Sequence, residues 1–565
     1  MIKINRRAKA LDKGSRGPGT SSLLRSFETP ETATMEEKGI LESFVSLFSA
    51  ENNVRISSIL DRVIPFSKLV SVDSSLGFLE TANNRTVSRS LNPGSLNMRI
   101  AVVGSGYVGL VAGACFADLG HDVILVDNDE RKLAALKNGD VPIHEKFLPE
   151  LLGRHRGHRL QFSNDLQEAV RASSVIFVAV GTPPTDRGDA DLSYVESVAR
   201  EITGAIDEYK VIVEKSTVPV YTSEWVRKII LRNGADPNAF DVASNPEFLR
   251  EGTAVTDFLF PDRIVVGCDT ERAADVLREV YAPLTSGSYY ERTDAIPQPD
   301  RASIPAPIIV TSTKSAELIK HASNAFLAMK ISFINAVASV CESVGANVNQ
   351  VCHGIGTDTR IGPRFLNPGI GYGGSCFPKD VLAFRAVARE CGYDFRLLDE
   401  VMRINEDQRD RFLRKVRSAL WTLRGKRLGV LGLAFKGGTD DIRESPALFL
   451  VQALLQEGCK ITAFDPAAME RTQEAISSNL KFANSAYEAA SGADALLILT
   501  EWEEFANLDL DRLNRELKYP IVIDGRNLYD PDVMAAHGFT YYSVGRAASH
   551  PDGVPAALRN GAKKA

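Results

Sequence analysis

One cysteine in this chain lies in a setting that could make it a nucleophile. Cys376 follows a glycine-rich turn at residues 371–374 and precedes Pro378, Lys379 and Asp380. The glycines let the backbone approach a ligand closely, and the proline stiffens the exit from the turn. The lysine would favour the thiolate, and the aspartate places a carboxylate near the sulfur. A lone cysteine is more often structural, but this combination favours catalysis.

A second stretch has the pattern of a dinucleotide-binding turn. An apolar strand at 99–103 leads into Gly-Ser-Gly-Tyr-Val-Gly at 104–109, followed by a helical segment and a second strand. Asp127 ends that strand, about twenty residues after the first glycine. The glycines admit a pyrophosphate to the helix N-terminus, whose free N–H groups attract it. Because the aspartate would bind the adenosine ribose and repel a 2′-phosphate, the pattern predicts NAD and not NADP.

Two polar residues interrupt a long apolar helix. The segment from Thr313 predicts this helix, with that residue as N-cap and Gly345 ending it. Its apolar faces are typical of a helix buried between domains or at a subunit interface. Lys320 and Asn324 share one face, where they are costly unless a polar group meets them. His321, one residue off that face, is interpreted as structural.

The elements around these residues alternate between strands and helices. Further strands are predicted near residues 175–180, 211–215, 242–244 and 264–266, and chemistry-bearing turns follow three of them. Ligands bind at the carboxyl ends of strands in open parallel sheets, so these turns should face the cofactor. Glu247 and Glu251 in the third turn could each be a general base or only a surface charge, and periodicity does not decide between these roles.

The same strand–helix–strand pattern begins again at residue 427, without the full glycine fingerprint. We therefore predict an α/β fold of two Rossmann-like, doubly wound parallel-sheet domains joined by a long central helix within a helical domain. The predicted divisions are an N-terminal extension at 1–97, an NAD-binding domain at 98–305, a helical domain at 306–420, a second Rossmann-like domain at 421–549 and a tail at 550–565.

Both ends of the chain differ from the rest. The first 27 residues are basic and rich in Ser and Gly, and a short helix is predicted near residues 40–48. A targeting role is possible in principle, but a disordered extension, or a true start at Met98, is the favoured interpretation. Residues after about Val544 are predicted to be frayed.

The composition narrows the class of protein. The chain has 565 residues, enough for about two to four domains, and a net charge of −6, which favours neither nucleic acid nor an anionic membrane as partner. Seven scattered cysteines without a metal-ligand pattern fit a reducing compartment. No uninterrupted apolar run approaches the roughly 20 residues that span a bilayer. We expect a soluble cytoplasmic protein without a metal.

From Met98 to about Tyr542 the chain resembles the UDP-glucose/GDP-mannose dehydrogenase family. The stretches that carry the resemblance are long and rare in sequence: GSGYVG (104–109), KSTVP (215–219), NPEFLREG (245–252), LIKHASNAFLAMKISFIN (318–335), RIGPRFLNPGIGYGGSCFPKD (360–380), LGLAFKGGTDDIRESP (431–446) and DGRN (524–527). Members of this family oxidise the C6 alcohol of a nucleotide sugar to a carboxylate in two NAD-dependent steps, without releasing the aldehyde.

The resemblance implies a covalent route through the cysteine. The residues that it assigns to the reacting carbon are Cys376, Lys320, Asn324, Asp380, Glu247 and Thr217. The thiolate would add to the aldehyde, and oxidation of the thiohemiacetal would give a thioester that water hydrolyses. The lysine and the asparagine would stabilise oxyanions at C6. The carboxylates and the threonine would position or activate water, with Glu247 favoured as the proton acceptor.

The resemblance also assigns the two binding sites. The residues matching those that bind NAD are Gly104, Gly106, Val108, Gly109, Asp127, Lys132, Thr182, Thr217, Glu251 and Arg443. Those matching the nucleotide-sugar site are Phe248, Leu249, Glu251, Lys320, Asn324, Arg360, Phe365, Asn367, Gly373, Phe435, Lys436 and Arg526. The first arginine of this second set would reach the pyrophosphate from a neighbouring subunit, which implies a homodimer or larger homo-oligomer through the central helix.

One loop departs from the family pattern. The family usually has Pro-Ile-Tyr-Glu-Pro-Gly-Leu where this chain has Pro-Ile-His-Glu-Lys-Phe-Leu at 142–148, so the family's role for this loop in closing over the cofactor is not carried over.

Several functions are consistent with the resemblance. UDP-glucose, giving UDP-glucuronate, is the favoured substrate; UDP-N-acetylhexosamines and GDP-mannose are the alternatives. A β-hydroxyacid dehydrogenase of the 6-phosphogluconate type would have no use for Cys376. A catalytically silent nucleotide-sugar sensor would be expected to lack Cys376, Lys320 or Asp380.

Overall fold

The computed structural model describes residues 97–183, 185, 190–300, 304–476 and 480–551. The predictions for the first 96 residues, including the helix near residues 40–48, lie outside this part of the chain, as does most of the predicted tail. The described residues form one compact unit that contains both sheets and the helices between them.

The first sheet has eight strands. They are β1 (Arg99–Val103), β2 (Asp122–Val126), β3 (Leu160–Ser163), β4 (Val175–Val178), β5 (Lys210–Glu214), β6 (Phe240–Ser244), β7 (Ile264–Cys268) and β8 (Ile308–Thr311). Their order is β3-β2-β1-β4-β5-β6-β7-β8, and β8 carries the sheet past the predicted boundary at residue 305. Every neighbouring pair is parallel except β6 with β7.

The antiparallel strand departs from the all-parallel prediction and has a simple cause. A parallel neighbour must begin at the amino edge of the sheet, so it needs a return crossover. Residues 245–263 instead form a loop and one six-residue helix after β6. The chain therefore enters β7 from the carboxyl edge, and the loop stays at the edge where ligands bind.

Nine helices among the described residues accompany this sheet. They are α1 (Tyr107–Asp118), α2 (Glu130–Asn138), α3 (Leu148–His155), α4 (Leu166–Ala172), α5 (Ser193–Thr203), α6 (Thr222–Arg232), α7 (Ala254–Leu259), α8 (Glu271–Val280) and α9 (Ala282–Thr285). They cover both faces, which is why β4, β5 and β6 are buried along their whole length. In α1, the Phe116 ring packs on Phe177 and Phe258 and holds the helix against the sheet.

The helical part is built around one long helix. Its elements are α10 (Thr313–Val344), α11 (Val348–Gly356), α12 (Phe377–Glu390) and α13 (Arg396–Leu420). The predicted N-cap is wrong by one residue: Ser312 is in the extended conformation, and its side chain accepts the Ser315 amide, so Thr313 is already helical. Gly345 ends the helix in the left-handed conformation, as predicted.

Among the described residues, α10 is also the one helix long and apolar enough to cross a membrane by length and composition. Core helices of soluble proteins pass the same test. Here the helix packs against α12, α13 and β7, and it buries Glu317, Lys320 and Asn324 on the packed side. Those buried polar groups fit a helix that serves a site inside the protein.

The second sheet is entirely parallel and has six strands. They are β9 (Arg427–Leu431), β10 (Lys460–Phe464), β11 (Leu480–Phe482), β12 (Ala495–Ile498), β13 (Ile521–Asp524) and β14 (Thr540–Tyr542), in the order β11-β10-β9-β12-β13-β14. Its helices are α14 (Pro446–Gln456), α15 (Met469–Ala475), α16 (Ala486–Ala490), α17 (Glu503–Ala506), α18 (Leu510–Glu516) and α19 (Pro531–Ala536). The predicted fold class of two Rossmann-like domains with a central helix is confirmed.

The described residues after β14, up to residue 551, are packed against the second sheet, which corrects the prediction of fraying for the first residues beyond Val544. Arg546 is buried, and its guanidinium donates to the Tyr529 carbonyl and to the Tyr541 hydroxyl (both 3.0 Å). That hydroxyl in turn donates to Asp524 (2.7 Å). A buried arginine needs such acceptors, and they anchor the segment.

We expect Tyr541→Phe to lower the free energy of unfolding by about 1–3 kcal/mol, because Asp524 and Arg546 each lose a buried partner. Urea unfolding followed by fluorescence measures the shift of the midpoint. Tyr542→Phe, one residue further along the strand, is the matched control, because the Tyr542 ring lies edge-on to the His550 ring. Equal midpoints for the two variants would contradict this account of the C-terminal segment.

Candidate active site

The glycine turn after β1 is closed on its inner side and open toward a cavity. Gly104 has a φ of +99°, and a Cβ atom there would lie 2.7 Å from the Ala179 carbonyl oxygen. A Cβ at Gly109 would lie 1.8 Å from the oxygen of Gly104, whereas one at Gly106 would meet no atom within 4 Å. The α1 N-terminus therefore has free space in front of it, as a dinucleotide pyrophosphate requires.

Asp127 lies directly after β2, beside this turn. Its Oδ2 accepts the Ser105 amide (2.7 Å) and hydroxyl (2.5 Å), and Lys132 Nζ lies 3.4 Å away. Burial alone would raise the pKa of Asp127, but the hydrogen bonds from Ser105 and from the Asp129 amide hold it below its usual value. A charged carboxylate at this position can accept ribose hydroxyls and repels a 2′-phosphate, so these residues fit NAD.

A cavity of about 870 Å³ extends from the glycine turn and is lined by all three parts of the chain. The sequence-predicted residues in its wall are Gly106, Val108, Thr182, Thr217, Glu247, Leu249, Glu251, Cys376 and Arg443. Three other predicted catalytic residues, Lys320, Asn324 and Asp380, are buried behind this wall. The structure thus brings the predicted nucleophile and its predicted partners to one place.

Cys376 is the N-cap residue of α12, so the positive end of that helix lies at the sulfur. The glycine-rich turn before it bends the chain sharply, and Asp380 closes the first helical turn through its amide (2.8 Å to the Cys376 carbonyl). Burial and the nearby Glu247 carboxylate raise the pKa of the thiol to about 11, although Lys320 opposes this. These surroundings favour the protonated thiol over the thiolate.

Lys379, which the sequence predicts to favour the thiolate of Cys376, has its contacts elsewhere. Its Nζ donates to the Thr182 hydroxyl (3.0 Å) and lies 3.9 Å from Asp380. The first turn of α12 therefore directs this side chain toward the end of β4. The lysine that favours the thiolate is Lys320, which comes from the central helix.

Lys320 forms a buried ion pair with Glu247. Its Nζ lies 2.8 Å from Glu247 Oε1, and the second carboxylate oxygen accepts the Leu249 amide (2.6 Å). Burial opposes both charges, but each raises the stability of the other: the pKa of Glu247 is lowered, and that of Lys320 is raised. The ammonium also lies 5.5 Å from the centre of the Phe248 ring, whose other contact is the Arg263 guanidinium.

One turn further along α10, Asn324 meets Asp380. The Asn324 amide donates to Asp380 Oδ2 (2.5 Å), while Oδ1 is buried without a hydrogen-bond partner among the described residues. A buried carboxylate oxygen without a donor is costly, so this atom is a natural acceptor for water or a substrate hydroxyl. His321 is buried, and its Nε2 lies 2.8 Å from the Val218 carbonyl. Burial lowers its pKa, which fits the structural interpretation.

Glu251 joins the cysteine turn to the C-terminal part. It lies 3.3 Å from the Ser375 hydroxyl, 3.4 Å from Arg443 Nη2 and 3.5 Å from the Thr439 hydroxyl. Burial and the neighbouring Asp441 carboxylate raise the pKa of Glu251 to about 7, with Arg443 opposing them. This glutamate can therefore take up and release a proton near neutral pH.

The C-terminal part closes on the cysteine turn. A Cβ at Gly373 would lie 2.1 Å from the Glu444 carbonyl oxygen, and one at Gly374 would meet the Phe435 ring at 2.8 Å. Glycine is thus required for two domains to meet here. Lys436 is largely buried next to that ring, and burial lowers its pKa.

Several predicted substrate residues lie outside the cavity wall. Arg526 donates to the Phe435 and Leu499 carbonyls (2.9 and 2.8 Å) and so holds the loop after β9. Asn367 is exposed, and Phe365 has a positive φ of 63° beside the Phe377 ring. Arg360 is not part of the cavity wall either: its side chain is 87% exposed and pairs with Asp358.

The loop at residues 142–148, for which the sequence indicated no role, anchors several parts of the site. Glu145 is buried and accepts hydrogen bonds from the Tyr107 hydroxyl and the Gly252 amide (2.7 Å to the amide). The His144 ring lies edge-on to Trp502 of the C-terminal part, 6.0 Å between centres. The loop therefore links the glycine turn, the segment after β6 and the second sheet. The sequence signal for this role was Glu145, which is the glutamate that the family pattern also has at this position.

The arrangement combines a cofactor turn with the half-buried thiol of Cys376. A ligand in the cavity would contact a thiol, a lysine–glutamate pair and a carboxylate with an open acceptor atom. These groups can hold an oxyanion, supply a sulfur nucleophile and orient water. Oxidation of an alcohol or aldehyde is the chemistry that uses all of them together with NAD.

Known proteins match the whole of this architecture. The domain descriptions of one family fit in order: its NAD binding domain at residues 98–285, its central domain at 314–407 and its UDP binding domain at 429–531. A UDP-glucose 6-dehydrogenase of Rhizobium meliloti is 49% identical over 455 residues, which is 80% of this chain and 100% of the relative.

Two solved structures give the same result. A UDP-glucose dehydrogenase of the hyperthermophilic archaeon Pyrobaculum islandicum has a TM-score of 0.72 and 37% identity, covering 81% of this chain and 100% of its own. A UDP-D-ManNAc dehydrogenase of Pyrococcus horikoshii has a TM-score of 0.67 and 27% identity, covering 80% and 99%. The prediction of NAD as cofactor is confirmed by the domain match. Sequence, fold and domain order agree that the chain belongs to the UDP-glucose/GDP-mannose dehydrogenase family.

Proposed function

We propose that the protein catalyses the NAD-dependent, four-electron oxidation of UDP-glucose at C6 to UDP-glucuronate. The observation that carries this proposal is the position of Cys376 in the wall of the cavity that the NAD-binding turn also lines, next to the buried pair of Lys320 and Glu247. A two-electron alcohol dehydrogenase would need the cofactor turn and the lysine, but not a nucleophilic cysteine.

The choice of sugar is supported by the relatives. The Rhizobium meliloti and Pyrobaculum islandicum proteins both act on UDP-glucose by name, and they are more similar to this chain than the Pyrococcus horikoshii protein, which is named for UDP-D-ManNAc. A UDP-N-acetylhexosamine or GDP-mannose is the alternative, because few contacts to the sugar separate these substrates.

The chemistry begins at the C6 hydroxyl. Lys320 and Asn324 hold the C6 oxygen while its proton passes to the open Oδ1 of Asp380 and the C6 hydride leaves, so that an aldehyde forms. When bound, NAD accepts one hydride in each of the two oxidation steps. The Cys376 thiolate then forms a bond to C6, and the resulting alkoxide is held by the same lysine and asparagine. Loss of the second hydride from C6 leaves a thioester.

Hydrolysis completes the cycle. Asp380 and Thr217 orient a water molecule at the thioester carbon, and Glu247 accepts its proton. The new C–O bond forms as the C–S bond breaks, which releases the carboxylate and returns the sulfur as thiolate. Glu247 can act only after Lys320 turns toward the substrate oxygen, because the ion pair occupies its Oε1 in the ligand-free structure.

The binding residues divide along the cavity. Asp127 and Lys132 would hold the adenosine end of NAD, with Val108 and the glycines at the pyrophosphate and Thr182 toward the nicotinamide. Glu251 and Arg443 would bridge the two ligands. The UDP-sugar would lie against the remaining predicted residues: Phe248, Leu249, Phe365, Asn367, Gly373, Phe435, Lys436 and Arg526.

The active unit is proposed to be a homodimer or a larger homo-oligomer formed through α10. Phe326, Phe333 and Val340 recur every seven residues on this helix and are 54–61% exposed, which is an unusual apolar stripe for a free surface. The nearby Arg360 is free to reach a neighbouring subunit's nucleotide sugar. The apolar stripe is the face that a second copy would cover.

The enzyme is proposed to act in the cytoplasm. All seven cysteines lie in the described part of the chain and all are free, as expected in a reducing compartment. The net charge of −6 gives no reason to expect nucleic acid or an anionic membrane as a partner.

The reaction predicts two NADH for each UDP-glucose consumed, and Cys376→Ser should abolish steady turnover because the thioester route is blocked. Absorbance of NADH against chromatographic loss of the sugar measures the ratio, with UDP-N-acetylglucosamine, UDP-N-acetylmannosamine and GDP-mannose as comparison substrates. Two NADH from another sugar alone would move the substrate but keep the mechanism. One NADH, or a fast Cys376→Ser variant, would refute the thioester route.

Asp127→Asn should reduce the preference for NAD over NADP by about tenfold to a hundredfold, because the side chain keeps its acceptor oxygen but loses the charge that repels a 2′-phosphate. The ratio of kcat/KM values for the two cofactors measures this. Asp129→Asn removes the same charge two residues away and serves as the control. Unchanged discrimination in Asp127→Asn would exclude the aspartate as the selecting group.

Mixing two inactive variants tests the shared site. Arg360→Ala lacks the arginine that the neighbour needs, and Cys376→Ser lacks the nucleophile, so a mixed dimer has one complete site. Random subunit exchange should restore roughly a quarter of wild-type activity. A mixture of Cys376→Ser with Lys320→Ala is the control, because both changes disable the same subunit's site. If neither mixture gains activity, Arg360 does not act across the interface.

A further inference from the structure

The hydroxyl of Ser375 lies between the nucleophile and a carboxylate. Its oxygen is 3.6 Å from Cys376 Sγ, within hydrogen-bonding range for sulfur, and 3.3 Å from Glu251 Oε1. All three side chains line the same cavity. A hydroxyl can donate one proton while accepting another, so it can connect the two groups.

We propose that Ser375 carries the thiol proton of Cys376 to Glu251. The S–H proton moves to the serine oxygen as the serine's own proton moves to the carboxylate, which leaves a thiolate, an unchanged serine and a neutral Glu251. No electrons are transferred in this step. The inference rests on the proposed function only in that the thiolate is what adds to C6.

A proton acceptor is needed because the surroundings of the sulfur disfavour the thiolate. Burial and the Glu247 and Asp380 carboxylates raise the pKa of Cys376, and the Ser375 hydrogen bond and Lys320 act against them. Arg443 also interacts with the sulfur. A neighbouring base that accepts the proton therefore makes the thiolate easier to form.

Glu251 is the base best placed for this role. Glu247 is held by Lys320 as an ion pair, which lowers its pKa and makes it a poor acceptor in the free enzyme. Glu251 instead has its pKa raised to about 7 by burial and by Asp441, while Arg443 and Lys436 limit the rise. Arg443 Nη2 contacts the same oxygen, Oε1, that faces Ser375 (3.4 Å), the Thr439 hydroxyl contacts Oε2 (3.5 Å), and the Glu251 carboxyl also hydrogen-bonds with Asp441.

Proton sharing has a signature in the pH dependence of thiol reactivity. For an isolated thiol at a pH below its pKa, the thiolate fraction rises about tenfold with each unit of increasing pH. When one proton is shared between Cys376 and Glu251, the thiolate fraction rises until Glu251 ionises and then becomes flat, since the ratio of the two one-proton forms does not depend on pH. We expect this flat region to begin near pH 7, where Glu251 ionises, and to end in a second rise at higher pH.

Alkylation by iodoacetamide measures this without any substrate. The rate at Cys376 is followed by mass spectrometry of the digested protein from pH 5 to about pH 10. Cys391 is exposed and provides an internal reference in the same digest. At each pH, dividing by the Cys391 rate removes differences in reagent and exposure time between variants, while the Cys376 rate itself is plotted against pH.

Three variants and one control separate the relay from simple packing. Ser375→Ala should lose the flat region and react about tenfold more slowly at pH 8, because the thiolate loses its hydrogen bond. Ser375→Thr should restore both, and Glu251→Gln should give a single rise without a flat region. Thr439→Val removes the other hydroxyl that contacts Glu251 and should keep the wild-type shape.

The outcomes are distinct from those of the proposed function. A wild-type profile without a flat region, or a Ser375→Ala profile equal to that of the wild type, overturns the relay even if UDP-glucose yields two NADH. A flat region that persists in Ser375→Ala but disappears in Glu251→Gln also overturns it, because the coupling would then act through space. If another sugar proves to be the substrate, the alkylation result still stands.

Discussion

The buried ion pair between Lys320 and Glu247 is the interaction on which the site depends. It joins the long central helix to the loop at the carboxyl end of β6, and it leaves almost no exposed surface on either side chain. A buried pair gives little net stability, because desolvation opposes the attraction. The pair instead holds a charged lysine and a charged carboxylate at the wall of the cavity. In the proposed reaction, a substrate oxygen competes with the carboxylate for the lysine.

The same constraint explains why three parts of the chain meet at one point. A lysine and an asparagine one turn apart on α10 need polar partners, and they find Glu247 from the first domain and Asp380 from α12. Glycines at 373 and 374 then allow the C-terminal part to close over the cysteine turn. The cofactor turn and Cys376 thus become neighbours, because α10 contacts the first domain through Lys320 and α12 through Asn324.

Much of this could be predicted because it follows from patterns within one segment. Alternating strands and helices, the glycine turn with Asp127, and two polar residues in an apolar helix each carry their own signal. Contacts between segments carry none. The antiparallel β7, the packing of Arg546 under β14 and the turn of Lys379 toward Thr182 depend on where distant elements lie, so the sequence could not indicate them.

The charges around Cys376 also explain the order of events in the proposed reaction. Burial and the Glu247 and Asp380 carboxylates outweigh Lys320 and Arg443 at the sulfur, so the thiol is favoured over the thiolate, which is the form prone to oxidation. The nucleophile is needed only after the first hydride has left C6 and an aldehyde is present. A cysteine that ionised readily would be reactive in every resting enzyme. A buried thiol that reaches a base through one hydroxyl is reactive only where its geometry allows, and this suits an enzyme that must hold its aldehyde until the second oxidation.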